Sequence, residues 1–257
     1  MESKMYDNNF FSELEIGSFE AAKVILPLVL DIAPIKSIVD IGCGVGTWLR
    51  AANSLGIVDF DGYDGDYVDR GRLYIDVARF HAADLAEGFA LDRQYDVALS
   101  LEVAEHLPSF KTDEFIGKLT DAAPIIIFSA AIPGQGGTNH INERWQDEWR
   151  KSFSKRGYHA IDYLRPLIRG NSSVPWWYQQ NIMLYCHPSV SLRGTAAHAV
   201  PAEVSLNLVH PDLYDQKVNH PDLYLWQAIT LVPSLIQKAA FKRLKKINLR
   251  KRGRAAS

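Results

Sequence analysis

The stretch Ser37-Ile-Val-Asp-Ile-Gly-Cys-Gly-Val-Gly-Thr-Trp48 decides the fold of this 257-residue chain. A short apolar run ends around an acid, Asp40, and passes through Gly42, Gly44 and Gly46 into a helix-forming segment. An apolar run without polar alternation reads as a strand buried on both faces, as in parallel sheets. Glycine at alternate positions lets the backbone turn with positive φ and approach a ligand closely, because no Cβ stands in the way. The dinucleotide fingerprint G-x-G-x-x-G is not met, since its sixth position is Thr47.

Outward from this stretch, strand and helix patterns alternate at short spacing. Strands are expected at 35–41, 58–64, 80–84, 95–101, 124–132, 159–164 and 181–186. Helices are expected at 18–33, 47–55, 113–122 and 142–156, the first with Ser18 as N-cap and Pro34 beyond its end. This order predicts an α/β fold, a Rossmann-like seven-stranded mostly parallel sheet with helices on both faces. A ligand then belongs at the carboxyl ends of the strands. Three parts are expected: an N-terminal helical segment 1–34, a core 35–187, and a linker with a basic C-terminal helix, 188–257. His-Pro-Asp-Leu-Tyr occurs at 210–214 and again at 220–224, each copy reading as a turn or helix cap.

Apolar content of 47% and charged content of 23% are those of an ordinary globular chain. The net charge of -2 hides an asymmetry: no acid follows Asp222, while Lys238, Lys242, Arg243, Lys245, Lys246 and further basic residues do. The acidic core speaks against a nucleic-acid partner. The tail 231–254, apolar on one stripe and basic elsewhere, suits an anionic membrane surface, with a solvated tail or a homodimer contact as alternatives. Two scattered cysteines, Cys43 and Cys186, make no disulfide framework and fit a reducing cytoplasm. No signal peptide or bilayer-spanning stretch is visible, so a cytoplasmic protein is expected, peripheral to the inner face of the membrane if the tail binds there.

Asp40-Ile-Gly-Cys-Gly-Val-Gly46 closely resembles motif I of the class I S-adenosylmethionine (SAM)-dependent methyltransferases. The resemblance implies a SAM site. Asp40 would orient the glycine loop, formed by Gly42, Cys43, Gly44 and Gly46, near the methionine ammonium. Asp64, ending the second strand, would hold the ribose diol, since a carboxylate accepts two hydrogen bonds. Asp61 and Asp66 are alternatives for that role. Asp84 and Leu85 would meet the adenine, and Leu101 and Glu102 would border the reactive methyl. A helix N-cap is the alternative reading of Asp84 by residue type.

Leu99-Ser-Leu-Glu-Val-Ala-Glu-His-Leu107 looks like the E-x-x-E-H signature of ubiquinone-pathway O-methyltransferases and of small-RNA 2′-O-methyltransferases. Phe128-Ser-Ala-Ala-Ile-Pro-Gly-Gln-Gly-Gly137, Asn139-His-Ile-Asn-Glu143 and Trp177-Tyr-Gln-Gln-Asn181 resemble bacterial methyltransferases of polysaccharide and small-molecule biosynthesis. The likeness spans residues 18–187. It implies a small-molecule or glycan acceptor, the leading expectation being O-methylation of a sugar or glycolipid intermediate. An RNA 2′-O-methyltransferase, a small-molecule N-methyltransferase and a non-catalytic SAM-binding regulatory partner are the rivals.

Methyl transfer from a sulfonium needs an aligned acceptor and, for a hydroxyl, a route for its proton. Glu105 and His106 follow Glu102 by three and four residues, which on a helix would share one face, and His140 follows the fifth strand. Two chemistries fit. His140 or His106, with Glu105, acts as general base; or Glu102, Glu105, His106 and His140 hold a divalent cation (Mg²⁺, Mn²⁺ or Zn²⁺), as the E-x-x-E-H resemblance implies. Acids that favour a helix start and a histidine that pins backbone are the structural alternative. The loop 133–139 suggests a lid. Trp145 and Trp149 suggest packing, and Trp176-Trp177-Tyr178 either packing or a sugar-stacking platform.

Overall fold

The computed structural model describes residues 8–194 and 198–219, with the backbone alone for 8–14 and 219. Two compact units are distinguished, Met1–His210 and Pro211–Ser257. The tail 231–254 and the second His-Pro-Asp-Leu-Tyr copy lie outside the described residues; the first copy leads into a helix, Pro211–Asn219.

One sheet organises the first unit. Its strands are β1 Ser37–Ile41, β2 Asp59–Asp64, β3 Phe80–Ala82, β4 Val97–Leu101, β5 Ile125–Ser129, β6 His159–Ile161 and β7 Met183–Cys186, in the spatial order β3-β2-β1-β4-β5-β7-β6. Strands β1 to β5 pair in parallel. Only β7 is reversed, running antiparallel to both β5 and β6.

The helices of this unit are α1 Asn8–Ile32, α2 Thr47–Ser54, α3 Thr112–Ala122, α4 Gln146–Ser154, α5 Leu164–Ile168 and α6 Trp176–Asn181. Side chains of a strand alternate between faces, and here both faces are covered. Ile38, Val97, Leu99, Ile125 and Ile127 join the core under α1 and α2. Val39, Ile41, Ala98, Ile126 and Phe128 join the core under α3 and α4. That second core is aromatic: Phe128 lies 5.1 Å from Trp149, and Phe153 stacks on Tyr185 at 3.8 Å. Trp149 is therefore packing.

Several element boundaries differ from expectation, each for a local reason. Helix α1 begins at Asn8 and carries Ser18 inside it. Gly17 there leaves room for Pro175, and Ser18 Oγ lies 3.3 Å from the Tyr178 hydroxyl, so small residues let α1 pass close to α6. Strand β3 stops at Ala82 because Asp84 turns the chain, accepting the Ala86 and Glu87 amides at 2.9 and 3.2 Å. Helix α4 starts at Gln146, because Asn142 instead donates its amide to Ala104 O and Thr112 Oγ1. Strand β6 ends before α5 begins, and α6 takes the residues just ahead of β7. Among the described residues no helix is long and apolar enough to cross a membrane.

Candidate functional site

In a doubly wound sheet the strand order maps onto the rim where the carboxyl ends emerge. The ends of β3, β2, β1 and β4 border one cleft of about 870 Å³. Asp84 and Leu85 line it after β3, Asp64, Gly65 and Tyr67 after β2, and Gly42 and Gly44 after β1. Glu102, Val103, His106 and Asn139 line its other end.

The glycine turn is a close fit. Gly42 has φ 91°, and a Cβ there would collide with Val103. Gly44 has φ 53°, and its Cβ would meet nothing within 4 Å, so that position opens into the cleft. Gly46, at φ 83°, starts α2 and faces Ile75. Cys43 Sγ tucks against Gly62 and donates to Gly44 O at 3.4 Å, and burial pushes its thiol up. Gly46, Cys43, Leu101 and Asp40 thus stand behind the wall rather than on it.

Two acids support this turn. Asp64 is buried, and its Oδ2 accepts the Gly44 amide at 2.7 Å. Its Oδ1 accepts the Gly65 amide and the Tyr67 hydroxyl, both at 2.6 Å. Asp40 is buried too; burial, then the charge of Asp64, pushes its carboxyl up to about 8. Asp61, the alternative, is taken up by His81, Tyr95 and Arg93. Asp66 pairs with Arg70.

At the far end, β4 delivers Glu102 in a left-handed conformation, φ 57°. Such a backbone is uncommon for a residue with a Cβ and marks a constrained position. Its carboxylate receives Asn181 at 3.3 Å and Gln135 at 3.5 Å, and burial raises its pKa. One 3-10 turn, Ala104–His106, follows instead of the expected helix, so Glu102, Glu105 and His106 do not share a helical face.

That single turn separates their roles. Glu105 points inward, fully buried. Its Oε1 accepts the Ala131 amide at 3.1 Å, while Oε2 has no partner. Burial, then the charge of Glu102, holds its pKa well above the carboxylate range. His106 faces the cleft, its pKa lowered by burial and by His140. The His106 and His140 rings stand 4.8 Å apart and nearly perpendicular. One ligand atom each from Glu105, His106 and His140 falls within 4.8 Å of the other two; Glu102 is outside that group.

The loop expected as a lid is fastened. Glu143 accepts the Gly134 and Gly136 amides at 2.7 Å each and contacts His140 Nδ1 at 3.2 Å. Gln135 Oε1 accepts from Gln180 at 2.9 Å and Asn181 at 3.1 Å. Two residues of the Trp176–Tyr178 run pack inward: Tyr178 is buried edge-on to Trp48, and Trp177 packs on the core.

Asp64, Asp66, Asp84 and Glu102 give the cleft its charge, and no Lys or Arg lines it among the described residues. Tyr67, Val103 and Asn139 were not singled out by the sequence. Tyr67 lies in a polar turn and Val103 shows only an apolar residue type. For Asn139, at φ 58°, the preceding glycines were the available signal.

Residues 18–124 match a family model described as a methyltransferase domain, from within α1 to just past α3. That segment is similar to a methyltransferase domain. The fold agrees with solved methyltransferases. A magnesium protoporphyrin IX methyltransferase from Synechocystis, solved with bound SAM, is 20% identical with a TM-score of 0.50, over 72% of this chain and 86% of that one. A chain from the complex between the Haloferax volcanii Trm112 methyltransferase activator and a methyltransferase is 16% identical with a TM-score of 0.52, over 70% and 95%. No curated protein matches the chain.

Proposed function

We propose that this methyltransferase domain uses SAM to methylate a hydroxyl of a small, uncharged acceptor, a sugar or glycan intermediate being the class the sequence resemblance favours. The observation that carries the reading is the order of groups along one cleft: acids at the β3 and β2 ends, a glycine cradle at β1, and two histidines beside β4. The fit to SAM rests on this cradle. Gly44 leaves open the space a Cβ would fill, and the volume lies within the range of small-molecule sites. Bound SAM supplies an electrophilic methyl on a sulfonium, and a wall of carboxylates without cations favours that charge.

The chain's own residues do the rest. Asp84 and Leu85 hold the base end and Asp64 the ribose, while Asp40, behind the wall, supports the glycine turn on the ammonium side. Glu102 sets the wall beside the methyl. His106, held neutral by its lowered pKa, accepts the acceptor's proton, and His140 stands behind it. The acidic lining opposes an RNA backbone, so an RNA acceptor is disfavoured.

One observation favours a second reading of the same corner. The unpartnered Oε2 of buried Glu105 beside two imidazoles fits a divalent cation, which Glu105, His106 and His140 would hold. Such an ion lowers the pKa of a hydroxyl bound to it.

Calorimetric titration with S-adenosylhomocysteine, with NAD as control, tests the cofactor; micromolar binding of the former alone is expected. A folded protein that binds neither sinks the proposal. Titration with Mn²⁺ before and after Glu105→Gln separates the base from the metal reading. Only a held ion makes that substitution weaken Mn²⁺ binding about tenfold or more.

A further inference from the structure

Asp64 is nearly saturated before any ligand arrives. A carboxylate offers about four lone-pair sites, and three are used: Gly44 N–H on Oδ2, Gly65 N–H and Tyr67 O–H on Oδ1. The two amides belong to the turns that shape the cleft and cannot leave without unmaking them. One acceptor position remains on Oδ2, yet a vicinal diol brings two hydroxyls.

The Tyr67 hydroxyl supplies the missing acceptor. Its proton is committed to Asp64 at 2.6 Å, a charge-assisted bond by its length. Its oxygen lone pairs stay available, and Tyr67 lines the cleft next to Asp64. The ring lies against Gly65, where a Cβ would collide with it, so the glycine is what lets the phenol reach the carboxylate. Residue 67 is otherwise 85% exposed and belongs to neither hydrophobic core. Swinging the phenol away to free Oδ1 would give up this charge-assisted bond, whereas leaving it in place keeps it.

We propose that Tyr67 is a cofactor-binding residue: Asp64 Oδ2 accepts one ribose hydroxyl and the Tyr67 oxygen accepts the other. This rests on the SAM reading of the cleft. It extends the diol clamp from one carboxylate to a carboxylate–phenol pair, in which the phenol's donation to Asp64 polarises its oxygen.

The test compares wild type and Tyr67→Phe for binding of S-adenosylhomocysteine and its 2′-deoxy and 3′-deoxy forms, by calorimetry. The substitution keeps the ring and removes only the hydroxyl. We expect it to weaken S-adenosylhomocysteine about tenfold, the worth of one hydrogen bond. That loss should vanish with one of the deoxy ligands and persist with the other. A loss persisting with both would mean that Tyr67 acts only by orienting Asp64, and unchanged or tighter binding that it competes with the ribose; either overturns the assignment. Absence of S-adenosylhomocysteine binding by folded wild-type protein is a different failure, that of the cofactor reading itself.

Discussion

Around β1 and β2 the cleft wall is mostly backbone: two turns, three glycines and an acid that collects amide protons. Beyond β4 it depends on side chains that meet from separate segments: Glu102 and His106 on the wall, and Glu105, His140 and the amides of Gln135 and Asn181 behind it. The first region is preorganised by covalent geometry. The second depends on buried charge, with two carboxylates raised in pKa and one oxygen left without a partner. A backbone-built site tolerates almost no change in shape, and a side-chain-built one almost no change in charge.

The sharpest way to break the first region is Gly42→Ala. Its Cβ would meet Val103 at a positive φ, so overpacking and left-handed strain together should cost about 3 kcal/mol, read by urea unfolding. Gly44→Ala faces open space and should cost only about 1 kcal/mol, yet its methyl enters the cleft. Loss of S-adenosylhomocysteine binding in both variants, with stability lost mainly in the first, would separate the turn's architecture from its function. Equal stability losses would contradict the packing described.

The next effect is electrostatic. Asp40, raised to about 8, carries a proton in the free protein at neutral pH. A group raised this way contributes stability below its ordinary carboxylate pKa and loses it as pH rises to about 8. In the proposed site an ammonium lies across the glycine turn from Asp40 and favours its ionised form, so ligand binding should expel a proton. The dissociation constant for S-adenosylhomocysteine should therefore improve toward pH 8, by about tenfold per unit at most, then level off. Calorimetry in buffers of different ionisation enthalpy counts the proton directly, and a flat profile would place the ammonium elsewhere.

The smallest effect belongs to Asp84. One of its oxygens is occupied by the Ala86 and Glu87 amides, so Asp84→Ala should cost about 1 kcal/mol as a lost cap. If Asp84 also meets the adenine, binding should weaken a few-fold beyond that; if not, affinity stays unchanged.

The contrast also explains what the sequence disclosed. Strand, acid and spaced glycines are local, so the motif after β1 and the acids after β2 and β3 could be located from residue type and position alone. The β4 end is non-local. Glu105 and His106 were visible as residues, but not the single 3-10 turn that sends one inward and the other to the cleft. Nor could any spacing reveal that Trp177 and Tyr178 pack inward, because their burial is decided by α1 and α2. Tyr67 was hidden differently: its partner is three residues away, but nothing in a polar turn says which side chain folds back.

Glu143 gathers two glycine amides and one imidazole from a segment only ten residues long, 134 to 143. A carboxylate holding three partners at fixed reach acts as a ruler. One residue inserted between Gly136 and His140 would keep the His140–Glu143 spacing but carry the two glycine amides out of range, releasing the loop from the histidine. The segment's length is thus as much part of the chemistry as its composition, and insertions that enlarge the cleft mouth have to fall outside it.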